Sequence, residues 1–194
     1  MAEGPNIIDF PGLPEEPPAL QLRVELLLVP YPVWRRIVLP GRSSFWDLHV
    51  AIQDAMGWQD KHLHRFTLDD PGQGQYLRLG IPDDSSFHGL DEVLAGWEYP
   101  VTRFCRPGGA AMLYTYDLGD DWQHEVSLEG FLHGWSPAGL PVCSEGVGAC
   151  PPEDCGGPTG FSSLPQATAD EGFDPGAVVF ENPRERWHRA FGHD

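Results

Sequence analysis

Hydrophobic residues recur at every second position early in the chain, and this pattern predicts two neighbouring strands. Leu22, Val24, Leu26 and Leu28 follow the period of a strand that buries one face and exposes the other. A second strand is predicted over residues 33–39, after a short turn that contains proline. The early part of the chain is therefore expected to form a sheet.

A capped amphipathic helix is predicted after the second strand. Ser44 and Asp47, three positions apart, form a capping-box pattern at its start, and Gly57 is placed to end it. Between these signals, four apolar residues recur at helical spacing: Phe45, Leu48, Ile52 and Met56. This is the most clearly marked helix in the chain.

The remaining pattern favours strands over helices. A short helical turn is predicted over residues 90–94 and a short helix over 184–191, whereas glycine and proline dominate after Leu132. Further strands are predicted over residues 62–68, 75–81, 112–116 and 122–128. Adjacent pairs of strands indicate an α+β domain with a mainly antiparallel sheet, one main helix packed on it, and long Gly/Pro-rich C-terminal loops.

The chain divides into three parts on composition. Residues 1–19 contain five prolines and three glutamates and are expected to be a flexible lead-in. Residues 20–175 carry the α+β domain, and 176–194 form a C-terminal extension. This extension contains a small basic and aromatic cluster: Arg184, Arg186, Trp187, His188 and Arg189. The cluster is expected to dock on the acidic surface of its own domain, with a partner's surface as the alternative.

Net charge limits the partners that this protein can take. The 194 residues include 12 Lys or Arg and 29 Asp or Glu, which gives a formal charge of −17. Such an excess opposes direct binding to nucleic acid. No segment approaches the roughly 18 apolar residues that a membrane span requires, and no secretory leader is indicated. We therefore expect a cytoplasmic protein whose partners, if macromolecular, are proteins.

Three clustered cysteines are candidate metal ligands. Cys143, Cys150 and Cys155 lie in a loop rich in glycine and proline, and thiols in such a loop of a cytoplasmic protein often bind metal. Zn²⁺ takes thiolate and imidazole ligands tetrahedrally. The fourth ligand would be a histidine: His124, His64 or His133. We predict a zinc site on the three cysteines and His124, with redox thiols or small buried residues as the alternatives.

Two histidines are predicted on the apolar faces of strands. His64 and His124 each need a polar partner there, because burying an unsatisfied polar group costs free energy. They are either core histidines bonded to a carbonyl or to an aspartate of the turn at 117–121, or site residues that meet across the sheet. In a site they would ligate a metal or serve as acid and base, and Asp120 would orient the base.

Common enzyme signatures are missing from the sequence. There is no phosphate-binding loop, dinucleotide fingerprint, nucleophile elbow or His-Glu-x-x-His pattern. We therefore expect a protein that is not an enzyme. A metal- or His-dependent hydrolase that uses His64, His124 and Asp120, with a metal or Cys150 as the reactive partner, is the alternative.

Five motifs give the sequence a family resemblance. In order they are PVWRRI at 32–37, a segment at 48–58 that ends in MGW, HLHRF at 62–66, YTYDLGDDWQH at 114–124 and ACPPEDCGG at 149–157. Together they resemble the plasmid pRiA4b open-reading-frame-three-like family over about residues 20–173. The resemblance implies a compact α+β domain, no established activity, and an association with mobile elements, because some members are passenger proteins of insertion elements. The chain lacks the catalytic-serine context and basic arm of a recombinase.

Three functions follow from these features. The first is a binding or accessory protein whose metal site combines the acidic turn at 117–121, the loop at 151–157, His64 and His124. The second is the hydrolase. The third is an acidic module that engages a basic protein surface through charge.

Overall fold

An eight-stranded sheet organises the protein. The computed structural model describes residues 17–69, 76–82, 92–164 and 172–192. The strands are β1 (Ala19–Leu26), β2 (Val33–Leu39), β3 (His64–Asp69), β4 (Tyr76–Gly80), β5 (Val93–Ala95), β6 (Met112–Tyr116), β7 (Trp122–Leu132) and β8 (Val142–Val147). Their spatial order is β5-β4-β3-β6-β7-β1-β2-β8, and every neighbouring pair is antiparallel except β4 and β5. The predicted α+β class with a mainly antiparallel sheet is confirmed.

Three α-helices accompany the sheet. They are α1 (Phe45–Met56), α2 (Gly157–Ser163) and α3 (Pro183–Phe191). In α1 the predicted caps are present: the Asp47 amide donates to Ser44 Oγ at 3.2 Å, and the Ser44 amide donates to Asp47 Oδ2 at 2.7 Å. Gly57 ends the helix in the left-handed region at φ 79°. Short 3₁₀ segments cover Gly96–Glu98, Val101–Arg103, Pro137–Gly139 and Pro175–Ala177.

The core lies between α1 and one face of the sheet. In β1 the buried positions are Leu20, Leu22, Val24 and Leu26, whereas the residues between them are only partly covered. The predicted alternation is therefore the buried face of a central strand as far as Leu26, whereas Leu28 lies beyond the end of β1 and is exposed. Aromatic residues of β3, β6 and β7 complete this core: Phe66, Tyr114, Tyr116 and Trp122.

Two edges of the sheet differ from the prediction. The helical turn predicted over residues 90–94 is wrong where the structure describes it, because Val93 and Leu94 lie in β5, parallel to β4. Residues 142–147 were expected to be loop but form β8, in which Cys143 is paired with Ile37 of β2. Both are edge strands, whose conformation depends on a partner that is distant in sequence. Leu90 lies outside the described residues.

The C-terminal basic cluster docks on its own domain. The predicted helix is present as α3, and it packs against α1. Arg186 is buried, and its guanidinium contacts the carboxylates of Asp54, Asp60 and Glu181. At the other end of the chain, β1 begins at Ala19, whereas the rest of the predicted lead-in up to residue 16 lies outside the described residues.

No helix in the described part of the chain is long and apolar enough to span a bilayer.

Candidate functional site

Three segments that are far apart in sequence converge beside the C-terminal end of α1. The indole of Trp58, just after α1, stacks on the ring of Tyr116 with centroids 5.1 Å apart. Its Nε1 donates to the carbonyl of Pro151 at 2.8 Å, and the Gln59 amide donates to Glu153 Oε2 at 2.8 Å. The residues after α1 therefore hold both the end of β6 and the loop at 151–157.

The hydroxyl of Tyr116 links the same three segments. It accepts a hydrogen bond from the Lys61 amide at 3.0 Å and donates one to Glu153 Oε1 at 2.5 Å. Burial and the neighbouring Glu153 carboxylate raise the pKa of Tyr116 well above its ordinary value. The phenol therefore keeps its proton and remains a donor to Glu153 at any physiological pH.

His62, Asp117 and Asp154 bring three potential ligand atoms together at this junction. His62 Nε2 lies 2.8 Å from Asp154 Oδ1 and 3.5 Å from Asp117 Oδ2. Among the described residues, this is the group of His, Cys, Asp or Glu side chains in which three potential ligand atoms all lie within 4.8 Å of one another. The side chains of His62, Asp117 and Asp154 are 33%, 14% and 57% exposed, so the group opens to solvent on the Asp154 side.

Backbone conformation places the two aspartates of this group. Asp117 and Asp154 have φ values of 53° and 58°, in the left-handed region that Asp tolerates better than most residues. Asp117 Oδ1 accepts hydrogen bonds from the amides of Gly119 and Asp120, at 3.0 and 3.2 Å. One carboxylate oxygen of Asp117 therefore fixes the turn, and Oδ2 faces His62.

Asp120 holds the cysteine-containing loop against the β6–β7 turn. Its Oδ2 accepts a hydrogen bond from the Gly156 amide at 3.2 Å. A Cβ at Gly157 would lie 2.4 Å from the carbonyl oxygen of Asp120, so the two backbones touch there. The Asp120 carboxylate therefore helps to position the loop through its hydrogen bond with the Gly156 amide.

Replacing Gly157 by alanine should displace this loop. Gly157 has φ 66°, and a methyl group would collide with the Asp120 carbonyl, so we expect a loss of more than about 2 kcal/mol. The matched control is Gly134→Ala, because Gly134 has φ 78° but no atom near a Cβ, which leaves a conformational cost of about 1–2 kcal/mol. Urea denaturation of both variants measures the difference. Equal losses of unfolding free energy in the two variants would mean that the close approach of Gly157 to the Asp120 carbonyl does not contribute to stability.

The structure places His64 and His124 in the core and separates them. The ring of Tyr114 lies 6.1 Å from that of His64 and 5.2 Å from that of His124, between centroids. His64 stacks on His49 at 3.5 Å, and His124 Nδ1 lies 3.4 Å from the carbonyl oxygen of Tyr114. This geometry fits the hypothesis that His124 is a core histidine bonded to a backbone carbonyl.

Burial lowers the pKa of both histidines. The pKa of His64 falls well below its ordinary value because of burial and then the nearby His49, and burial lowers that of His124 to about 3. His64 Nδ1 and His124 Nε2 have no hydrogen-bond partner among the described residues. Both rings are therefore neutral at physiological pH and enclosed by the core.

The four predicted zinc ligands do not form a compact group among the described residues. Cys143 lies in β8, with its Sγ 3.6 Å from the Glu145 carbonyl oxygen, and His124 lies inside the core. Cys150 and Cys155 belong to the loop that carries Asp154, and all of these thiols are free. Burial raises the pKa of Cys150 to about 12. The zinc site on these four residues stays a prediction, whereas the geometry favours the group around His62.

The sequence contained a signal for the group that the prediction missed. His62, Asp117 and Asp154 each lie within a different motif of the family resemblance: HLHRF, YTYDLGDDWQH and ACPPEDCGG. Sequence spacing does not show that these three motifs touch. Cysteine spacing and apolar strand faces, the stronger local signals, point instead to the thiols and to the buried histidines.

Comparison with known proteins identifies the family. The model of the plasmid pRiA4b ORF-3-like protein family matches residues 18–186. The chain belongs to this family. It is 33% identical over 162 residues to the uncharacterized protein y4hQ of Sinorhizobium fredii strain NBRC 101917 / NGR234, with 84% of this chain and 79% of that protein covered. The family match contains all three segments that converge around His62.

A solved structure shares the fold. The crystal structure of a protein of unknown function, MM3350 from Methanosarcina mazei Go1, superposes with a TM-score of 0.73 at 30% sequence identity. The match covers 85% of this chain and 98% of that one. The α+β architecture of this chain is therefore shared with that protein of unknown function.

Proposed function

We propose that this member of the pRiA4b ORF-3-like family is a metal-binding accessory protein. The ligands would be His62 Nε2, Asp117 Oδ2 and Asp154 Oδ1. The observation that carries the proposal is the approach of these three atoms to within 4.8 Å of one another. They come from three separate family motifs, which Trp58 and Tyr116 hold together.

The donor set favours a borderline divalent cation. One imidazole nitrogen and two carboxylate oxygens suit Zn²⁺, Mn²⁺ or Fe²⁺, and zinc is the metal that we expect. Three protein ligands and an open side toward Asp154 leave positions for water or for a ligand of the metal. The additional carboxylates of Asp120, Asp121 and Glu153 in the same segments add negative charge that attracts a cation.

An accessory role is favoured over hydrolysis. The histidines that the hydrolase hypothesis uses as bases, His64 and His124, are 4% and 0% exposed, so a substrate has no contact with them in this conformation. Metal binding by the His62 group needs neither of them. We further propose that the protein acts in the cytoplasm with a protein partner, in keeping with the family's association with mobile elements and with a charge of −17, which opposes nucleic acid.

Metal binding is tested by calorimetric titration of chelator-treated protein with Zn²⁺ and with Mn²⁺. We expect one ion per chain, and His62→Asn or Asp154→Asn should each weaken binding by about 100-fold or more, since even outer partners of a metal contribute about 10–100-fold. The matched control is Asp121→Asn. Asp121 lies in the same turn with a similar φ of 53°, but its carboxylate accepts from Gln123 instead of joining the group.

Two results would contradict the proposal. One is unchanged affinity in both the His62 and the Asp154 variants. The other is a stoichiometric Zn²⁺ that is lost in Cys150→Ser but kept in Asp154→Asn, because that result would assign the metal to the predicted cysteine site instead.

A further inference from the structure

A second cavity lies at the other end of α1, where its first turn meets the first turn of α3. It has a volume of about 620 Å³, within the range of small-molecule sites. Its lining includes three tryptophans, two arginines and a histidine: Trp46, Trp97, Trp187, Arg42, Arg184 and His188. None of them belongs to the His62, Asp117 and Asp154 group or to the family motif segments around it.

The tryptophans form a connected aromatic wall. Trp187 is the central ring, with its centroid 5.2 Å from that of Trp46 and 4.8 Å from that of Trp97. Trp46 is buried, and its Nε1 donates to the Pro183 carbonyl at 2.9 Å, which fixes the start of α3 beside it. Trp97 is 41% exposed, so part of its surface is available to a planar ligand.

The basic residues of α3 fall into two sets, one in ion pairs with the domain and one lining the cavity. Arg186 and Arg189 pair with Glu181, and Arg186 also pairs with buried carboxylates of the domain. Arg184 and His188, four positions apart and therefore on one face of the helix, line the cavity with Trp187. The cavity therefore carries basic side chains in a chain that has only 12 Lys or Arg against 29 Asp or Glu.

Charge in the cavity distinguishes an anion from a cation as its ligand. The aromatic rings would also suit an ammonium group, but the guanidinium of Arg184 opposes a cation there. Asp47 is the acidic residue of the lining, and its Oδ2 already accepts hydrogen bonds from the amide and the hydroxyl of Ser44, at 2.7 and 2.9 Å. Arg184 therefore gives the cavity a cationic group beside its aromatic surface.

We propose that this cavity binds a small planar aromatic anion of nucleotide size. The aromatic ring would stack on the exposed part of Trp97, whose ring plane is tilted by 68° from that of Trp187, and the phosphate or carboxylate would pair with Arg184 and accept a hydrogen bond from His188. A single-stranded nucleic acid offers the same chemistry, but the charge of −17 repels a polyanion far more than a mononucleotide. The free small molecule is therefore the ligand that the charges favour.

The test is calorimetric titration of the full chain with adenosine monophosphate, adenosine and inorganic phosphate. We expect adenosine monophosphate to bind more tightly than either part. Arg184→Ala should remove most of its advantage over adenosine, and Trp97→Ala should weaken both by about tenfold or more, as loss of one stacking ring does. Both side chains are exposed, so the fold should survive their replacement, which circular dichroism checks. The matched controls, Trp135→Ala and Arg106→Ala, change exposed residues outside the cavity.

Four outcomes would overturn the proposal. The first is no saturable binding of adenosine monophosphate, and the second is binding that the two cavity variants leave unchanged. The third is a preference for an aromatic cation such as a quaternary ammonium compound. The fourth is tighter binding of an oligoadenylate than of the mononucleotide, with a steep dependence on salt, which would assign the cavity to a strand.

Discussion

Acidification from pH 7 to pH 5 should lower the free energy of unfolding by about 4 kcal/mol, because two buried histidines resist protonation. Burial lowers the pKa of His64 well below its ordinary value and that of His124 to about 3. Below an unfolded pKa of about 6.5 the unfolded chain binds these protons and the folded chain does not. Stability is therefore present above that pH and is lost as the pH falls toward the folded values.

The carboxylates contribute at lower pH. Arginine partners lower the pKa of Glu129 and Glu181, and the stability that those pairs provide is lost only as the pH falls below about 4.5. Burial raises the pKa of Asp54, which acts against a loss of stability on acidification, so the slope between pH 7 and pH 5 is assigned to the histidines by the variants below. Urea denaturation at a series of pH values in this range measures the slope directly.

Histidine variants show whether the buried rings cause the loss of stability on acidification. His124→Asn should halve the loss between pH 7 and pH 5, to about 2 kcal/mol, whatever it does to stability at pH 7. His133→Asn is the control, because His133 is exposed and should leave the slope unchanged. A free energy of unfolding that stays level from pH 7 to pH 5, or a slope unaffected by the His124 change, would contradict the assignment of both rings as neutral core groups.

Replacing Arg186 by alanine should destabilise the protein by about 3–5 kcal/mol, the cost of leaving buried charges without their partner. The Arg186 side chain is 6% exposed, and those of Asp54 and Asp60 are each 8% exposed. Its Nη1 lies 3.4 Å from Asp60 Oδ2, its Nε lies 2.5 Å from Glu181 Oε2, and its Nη2 contacts Asp54. Without the guanidinium, the buried Asp54 carboxylate would lose its arginine partner, and Asp60 would keep only its 2.9 Å contact with His49 Nε2.

A neighbouring arginine provides the control. Arg189 also pairs with Glu181, but its side chain is 61% exposed, so Arg189→Ala should cost less than about 1 kcal/mol. Thermal or urea denaturation compares the two variants. A loss of similar size in both would mean that α3 is held by its tryptophan contacts and that the buried arginine adds little.

Much of the fold was predictable because its signals are local. The two ends of α1 are set by Ser44 with Asp47 and by Gly57, and the structure contains both caps where the sequence indicated them. Central strands show the alternation of one buried face, as in β1. The edge strand β5 has only three residues, too few to show an alternation, and β8 contains Ser, Glu and Gly at positions 144–146, which are not typical of a strand.

The candidate site was predictable only in part, because its members come from distant segments. The sequence predicts that the acidic turn and the loop at 151–157 converge. In the structure, Asp117 of the turn and Asp154 of the loop both lie beside His62. The sequence pattern, however, predicts a site histidine on an apolar strand face. His64 occupies such a face and is buried, whereas His62, two residues earlier, precedes β3 and remains partly exposed.

The sequence by itself determined the helix caps, the alternation of the central strands and the family, since each depends on residues that are neighbours along the chain. Only the tertiary structure decided which polar side chains share a site. Contacts such as Trp58 to Pro151 and Tyr116 to Glu153 join residues 93 and 37 positions apart. Their partners are fixed by how α1, the sheet and the loops pack, and no spacing within a single motif encodes that arrangement.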